Sequence, residues 1–398
     1  MRFFSIRKSF FDVIGMVSQN ITIVGAGPAG LSTAKYLCEQ GLLCTVLEEH
    51  AEIGRPVNCS GLLSIDGSQK AGLPITDDIT VNRFRGARLY APDNSLLTVE
   101  KFKPVANLVN RDELDQAMAM QAEKAGAQIR TKTRLIDIRN NTLFLESNGR
   151  GEILKTNIIV GADGPSSKVR NLSGIATDMN HFIHSYQVKA KGNFDPDFVE
   201  IYFGGFAWNF FAWVIPESKT RARIGLGCKT GLNPKKQFAG FLQQKKIEVD
   251  VLEESSFLIP CRKPLQNLVV DNRLLVGDAA FQVKSSTGGG VIFSALAGKA
   301  AAESIAEHIV QKKPLAVYNQ KTEAMRKELE LHWKIHNYFA SLTDQQINRL
   351  FAKLKNAKIE QFLAERGNMD YPSQFIPALL RNPRILLMLP DAIKFWQS

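Results

Sequence analysis

A chain of 398 residues, 44% hydrophobic, is long enough to bury a large core and to form two or three lobes. Its net charge of +11 favours anionic partners, namely cofactor phosphates, phospholipid head groups or nucleic acid, and no nucleic-acid motif accompanies it. The five scattered cysteines form no C-x-x-C pair, which argues against a disulfide framework or zinc site and fits a reducing cytoplasm; no run approaches the roughly eighteen apolar residues that cross a bilayer.

Residues 1–20 carry Arg2, Arg7 and Lys8 among Phe3, Phe4, Phe10 and Phe11 and lack the apolar core of a secretory signal. Three readings stay open here: a basic amphipathic segment on a membrane surface, a transit-like leader, or an early start with Met16 as the true one. Ile21, Thr22, Ile23 and Val24 read as a buried parallel strand. It runs into Gly25-Ala26-Gly27-Pro28-Ala29-Gly30, the G-x-G-x-x-G spacing of a dinucleotide turn. Gly25 permits the tight turn, Gly27 lets a phosphate approach the backbone, and Gly30 lets the next helix, 31–40, pack close to the strand. That helix stops at Gly41, and its free N–H groups and dipole face the phosphates. A second apolar run, 42–47, ends in Glu48, placed to accept hydrogen bonds from ribose hydroxyls.

The following loop carries Arg55, read as a phosphate partner or as a solvated charge, and Cys59. Strand-like pieces at 87–90 and 96–100 come next. Asn110 as N-cap and Glu113 in the capping-box position open a helix with Leu114, Met118, Ala122 and Ala125 at helical spacing, ended by Gly126. Beyond further short strands, 158–164 is a buried strand leading to Asp163, either a cofactor contact or a turn acid. From 175 to 259 the pattern alternates as a separate sheet. At its centre Tyr202, Phe203, Phe206, Trp208, Phe210, Phe211 and Trp213 crowd together, with a change of parity that predicts a bulge or turn near Phe210. They form either ordinary core or the wall of a long apolar pocket. Residues 273–280 return to a buried strand ending in Gly277-Asp278, and Thr287-Gly288-Gly289-Gly290 opens a helix rich in small residues with a positive dipole end. From Pro314 the chain reads as helical and charged. Its end, 375–396, is too short for a bilayer span and suits a pocket cap or an interfacial segment.

The glycine fingerprint with Glu48, the Asp163 turn, and Gly277-Asp278 before a glycine-rich helix together resemble the flavoprotein class typified by para-hydroxybenzoate hydroxylase, over residues 21–310. The resemblance implies an α/β fold: a Rossmann-like FAD-binding domain, an interleaved antiparallel-sheet substrate domain and a C-terminal helical region. It divides the chain into an extension at 1–20, FAD-binding segments at 21–80, 106–174 and 266–312, substrate-sheet segments at 81–105 and 175–265, and a helical region at 313–398. It implies FAD, not NAD, and no metal. The candidate cofactor residues, from this resemblance together with the residue readings above, are Gly25, Gly27, Ala29, Gly30, Glu48, Arg55, Arg111, Asp163, Asp278, Gly288, Gly289 and Gly290. Glu48 would hold the adenosine ribose and Asp278 the ribityl chain, and the helix after Gly290 would point at the pyrimidine edge of the ring.

Within that class the chain is similar to the geranylgeranyl reductase family, which includes archaeal digeranylgeranylglycerophospholipid reductases. The likeness rests on Pro56-Val57-Asn58-Cys59-Ser60-Gly61, on Phe211-Ala212-Trp213-Val214-Ile215-Pro216, and on Gly277-Asp278-Ala279-Ala280 through Val283-Lys284-Ser285-Ser286-Thr287 to the three glycines. Phe211 and Ile215 stand where that family more often has Tyr and Phe, and Phe281 where it often has Gly. The implied activity is saturation of isolated double bonds in geranylgeranyl chains of membrane lipids. With no second dinucleotide fingerprint, NAD(P)H or reduced ferredoxin, a small redox protein, is the expected donor. A hydride goes to one carbon and a proton to the other, so the transition state gains tertiary-carbocation character, which the face of Trp213 stabilises by about 1–2 kcal/mol. Cys59 reads as proton donor, redox gate or packing residue. The expected setting is peripheral, on the cytoplasmic face of an anionic membrane, with an isoprenoid lipid as substrate. An FAD-dependent monooxygenase or halogenase, and a non-catalytic prenyl-binding carrier, are the competing classes.

Overall fold

The computed structural model describes residues 20–381, so the readings made for the basic leader and for most of 375–396 lie outside the described residues. The β-branched run Ile21–Val24 is a strand with all four residues buried, flanked in parallel by Cys44–Leu47 on one side and Ile158–Gly161 on the other. Near-continuous apolar sequence is what a parallel strand covered on both faces demands. Gln128–Arg130 extends this sheet beyond Cys44–Leu47, and Arg273–Leu275 with Val269–Val270 extends it beyond Ile158–Gly161, giving six strands. The helix between the first two strands is Pro28–Glu39, starting earlier than its apolar spacing suggests. Proline suits that first turn because the N–H it lacks would have had no intrahelical partner.

A second sheet has seven strands in the order Asp250–Pro260, Phe182–Lys191, Arg221–Lys229, Ala212–Pro216, Phe198–Tyr202, Gly86–Tyr90, Leu96–Glu100. It is antiparallel except where Phe198–Tyr202 pairs in parallel with Gly86–Tyr90. The aromatic run breaks between two of these strands, through a 3-10 turn at Gly205–Ala207 and a bond from Phe210 N to Ala207 O, before re-entering the sheet at Ala212. The alternating pattern expected for 175–259 is interrupted by a helix, Pro234–Lys245, capped by the Asn233 side chain. Its Phe238 and Phe241 pack on Tyr186 and Tyr202 of the sheet. The Asn-Pro pair was a local start signal that the surrounding alternation obscured.

Asn110 does sit at the N-cap of the helix Arg111–Ala125, but the expected capping box does not form. Its Oδ1 accepts from Arg223 Nη2 at 3.0 Å, while its Nδ2 donates to Glu113 at 3.2 Å. Arg223 is almost wholly buried and also donates to the carbonyls of Ser60 and Val109, so it ties the second sheet to the Cys59 loop. Two small sheets complete the strands: Thr133–Arg139, Thr142–Ser147 and Arg150–Lys155, and a set of Leu62–Ser64, Ala106–Val109 and Thr80–Phe84. The long helix Val291–Gln311 crosses Pro28–Glu39, and Glu323–Ala340, Asp344–Asn356 and Ile359–Arg366 follow. No helix among the described residues is long and apolar enough to cross a membrane.

Candidate active site

The three fingerprint glycines differ in what surrounds them. Gly25 has φ +102, and a Cβ there would lie 2.3 Å from the Ala162 carbonyl oxygen; at Gly30 it would meet the Gly25 oxygen at 2.0 Å. At Gly27 nothing lies within 4 Å. Its missing side chain therefore preserves open space, which is what a phosphate cradle requires. Gly27 is also the N-cap of Pro28–Glu39 and supplies no side-chain cap. Glu48, at the end of the second strand, reaches back to the turn. It accepts from Ala26 N and His50 N, each at 2.9 Å, and its Oε1 lies 2.7 Å from His50 Nδ1.

A second glycine turn faces the first. Gly288 N donates to Lys284 O and Lys284 N to Gly289 O, closing a tight loop before Gly290, the uncapped start of Val291–Gln311. The two helices approach closely because small residues meet at the crossing. A Cβ at Gly298 would come within 2.5 Å of Ala29 O, and one at Gly277 within 2.7 Å of Ala29 Cβ. Ala29 thus contributes by being small, and both helix starts open on one cavity of about 780 Å³. Two positive dipole ends bordering one cavity make it receptive to anionic groups.

Arg111, Cys59 and Asp278 also border this cavity. Arg111 donates to both oxygens of Asp115, at 2.9 to 3.2 Å. Burial works against its charge, but Asp115 and then the nearby Cys59 outweigh it, so the guanidinium is held even more firmly protonated than usual. Burial pushes the Asp278 carboxyl up to about 6, against the pull of Arg111 and Arg170. The Cys59 sulfur is half-buried and accepts from Gly61 N at 3.4 Å. Arg55 stands outside the lining, its side chain 59% exposed, and pairs with Asp112 at 3.0 Å and Glu52 at 3.5 Å. Asp163 lies between two lining residues, Ala162 and Gly164, and its carboxylate accepts from Ser167 Oγ at 2.5 Å and Val169 N at 2.9 Å. These are the contacts of a turn acid that braces the start of Lys168–Leu172, the helix whose N-cap is Ser167.

The opposite wall is aromatic and aliphatic: Phe84, Leu89, Val199, Ile201, Phe203, Phe210, Phe211, Trp213 and Ile215 line it. Phe210 and Phe211 stack with centroids 4.2 Å apart, and Phe211 meets Trp213 edge-on at 6.1 Å. The Trp213 Nε1–H donates to Gln187 Oε1 at 3.1 Å, which satisfies its one polar atom and fixes the ring. Phe375, from the stretch that suited a pocket cap, does line the cavity.

Sequence reasoning missed a polar network at the cavity's edge. Lys284 Nζ lies 2.5 Å from Asp370 Oδ1, with both side chains almost fully buried. Ser64 Oγ donates to the same carboxylate. His332 bridges Ser286 Oγ, 2.6 Å from its Nδ1, and the Asp370 carbonyl, 3.0 Å from its Nε2. Lys284 stood in a quoted motif without a role, whereas nothing local marks Asp370, 86 residues further on.

These residues fit an FAD. The open side of Gly27 and two uncapped helix starts suit a diphosphate and an electron-rich ring, and a desolvated Asp278 suits hydroxyls. The family model for the FAD binding domain matches residues 18–330. Digeranylgeranylglycerophospholipid reductase of Methanothrix thermoacetophila is 29% identical over 395 residues, spanning 93% of this chain and 99% of the relative. A geranylgeranyl bacteriochlorophyll reductase-like protein from Thermoplasma acidophilum has a TM-score of 0.81 at 23% identity, covering 94% of this chain and 99% of that one. A flavin-dependent brominase reaches 0.66 at 16% identity, covering 95% and 98%. At such identities the two solved structures show a shared fold.

Proposed function

We propose that this chain, which belongs to the FAD binding domain family, is an FAD-dependent reductase saturating isolated C=C bonds in geranylgeranyl chains of membrane lipids or related isoprenoids. One observation carries this reading: both glycine turns and the aromatic wall border the same cavity, so an unsaturated chain can lie against the ring end of the cofactor site. The reductase name of the full-length relative supports the substrate class.

When bound and reduced, FAD supplies the hydride. Gly25, Gly27, Ala29, Gly30 and Glu48 would hold its adenosine and diphosphate. Arg111, Asp278, Gly288, Gly289 and Gly290 would hold the ribityl and ring end. Arg55 and Asp163 would act indirectly, bracing Asp112 beside Arg111 and the turn beside Ala162. The proton for the second carbon needs a donor on the cavity wall, and Cys59 is our candidate for holding it or for gating the cofactor's redox state. Positive charge develops on the substrate as that proton arrives, and the face of Trp213 would stabilise it by about 1–2 kcal/mol. Electrons would come from NAD(P)H or reduced ferredoxin, with the protein peripheral on the cytoplasmic face of the membrane.

Anaerobic incubation of the dithionite-reduced holoprotein with a geranylgeranyl ether lipid tests this directly. The product mass should rise by two units for each double bond saturated, and an unchanged lipid would defeat the reading. Oxygen consumption with a hydroxylated or halogenated product would select the monooxygenase or halogenase class. A protein that binds the lipid but no flavin would be the carrier. Full turnover in Cys59→Ala would remove Cys59 from the chemistry.

A further inference from the structure

Between the strands Leu96–Glu100 and Ala106–Val109 the chain forms a loop, Lys101-Phe102-Lys103-Pro104. Phe102 is 99% exposed, more than any other exposed large hydrophobic side chain among the described residues. The loop that carries it is pinned at both ends, by Lys101 N to Arg85 O and Val105 N to Phe84 O, each at 2.8 Å. The ring is therefore held out into solvent by ordered backbone. Two lysines flank it, and among the described residues neither has an ion-pair partner. Arg85 beside them is neutralised by Glu100 at 2.8 Å and Asp197 at 3.3 Å. The loop also marks a rim of the cavity, since Lys101, Val105 and the exposed Arg85 all line it.

An aromatic ring between two unpaired cations matches a surface that is negative outside and apolar just beneath. Anionic lipid has that profile: an exposed phenyl ring buries at the boundary of head groups and acyl chains, and each lysine near the surface strengthens binding about fivefold. We propose that loop 101–104 docks the protein on anionic membranes. Phe102 enters the boundary between head groups and acyl chains, Lys101 and Lys103 hold lipid phosphates, and the cavity opens into the bilayer at this rim. A prenyl chain then passes from lipid to cavity without crossing water. The purpose of this docking rests on the lipid-reductase reading above, but the docking itself does not need a prenyl substrate to be measured.

The test is co-sedimentation of the purified holoprotein with vesicles of phosphatidylcholine alone or mixed with phosphatidylglycerol, without prenyl lipid. The wild type should bind the anionic vesicles and release as salt is raised. Phe102→Asp and Lys103→Glu should each lower the partition constant about fivefold or more, with flavin absorbance and melting temperature unchanged. Ile153→Asp, at an exposed apolar site outside the cavity lining, should bind as the wild type does. Equal binding by Phe102→Asp and wild type, or no preference for anionic vesicles, would overturn the proposal. Docking without lipid saturation would leave the loop assignment standing and remove the reductase. Saturation with docking indifferent to Phe102 would do the reverse.

Discussion

Replacing Gly27 by alanine puts a methyl group into open space, whereas the same change at Gly25 or Gly30 drives it into a carbonyl oxygen at 2.3 or 2.0 Å. Gly27→Ala should therefore leave the FAD-free protein within about 0.5 kcal/mol of wild-type stability and weaken FAD binding at least tenfold. Flavin fluorescence titration beside denaturant unfolding separates the two effects, and wild-type affinity in Gly27→Ala would place the diphosphate elsewhere. Asp278 gives a pH test. Burial raises its carboxyl to about 6 from an ordinary value near 3.8, so the folded state keeps a proton that the unfolded state releases between those limits. Stability from this group is lost as pH rises through that window. Asp278→Asn should gain melting temperature relative to wild type from about pH 4 to pH 6 and hold a constant lead above it. His332 and His336, which burial pulls down to about 4, act in the opposite sense in both proteins and cancel in the comparison. At this scale Phe281 shows how far the sequence can be read. It adopts φ +57, a conformation that favours glycine, the residue the resemblance often places there. What keeps phenylalanine is tertiary: its ring lies under Arg170 at 4.8 Å and Arg262 at 5.1 Å, contacts that no local pattern announces.

Lys284 and Asp370 join two elements, the second glycine turn and the segment after Ile359–Arg366 that walls the cavity. Removing one partner leaves a charge in a dry site and should cost about 3–5 kcal/mol, while replacing both by apolar residues costs much less. Lys284→Met and Asp370→Leu should each destabilise strongly, and the double variant should fall well short of their sum in denaturant melts. Additive effects would mean that the segment is held by other contacts. The strand–turn–helix–strand unit around Gly25 was legible because its signals are local: four β-branched residues, three glycines and an acid in order. The resemblance put 81–105 with 175–265, but the parallel register of Gly86–Tyr90 on Phe198–Tyr202 was not legible, because alternation specifies a strand's faces and says nothing about its neighbour.

Across the whole molecule, the cavity draws Gly27, Arg111 and the Asp278–Gly290 stretch from three separate parts of the chain, and its aromatic wall from a sheet that borrows its last two strands from residues 86–100. The broad architecture could be read from the sequence because each stretch carried its own pattern, whereas the polar edge built by Ser64, Lys284, His332 and Asp370 exists only after folding. Because the six-stranded sheet places Arg273–Leu275 beside Ile158–Gly161, its last strands join only after about two-thirds of the 398 residues have been made. Ribosomes add about 5–20 residues per second, so the first phosphate turn waits on the order of tens of seconds for Gly290 to emerge. Throughout that interval a greasy half-cleft stands open to solvent. Shielding the nascent chain until this cavity can close should therefore raise the yield of folded protein.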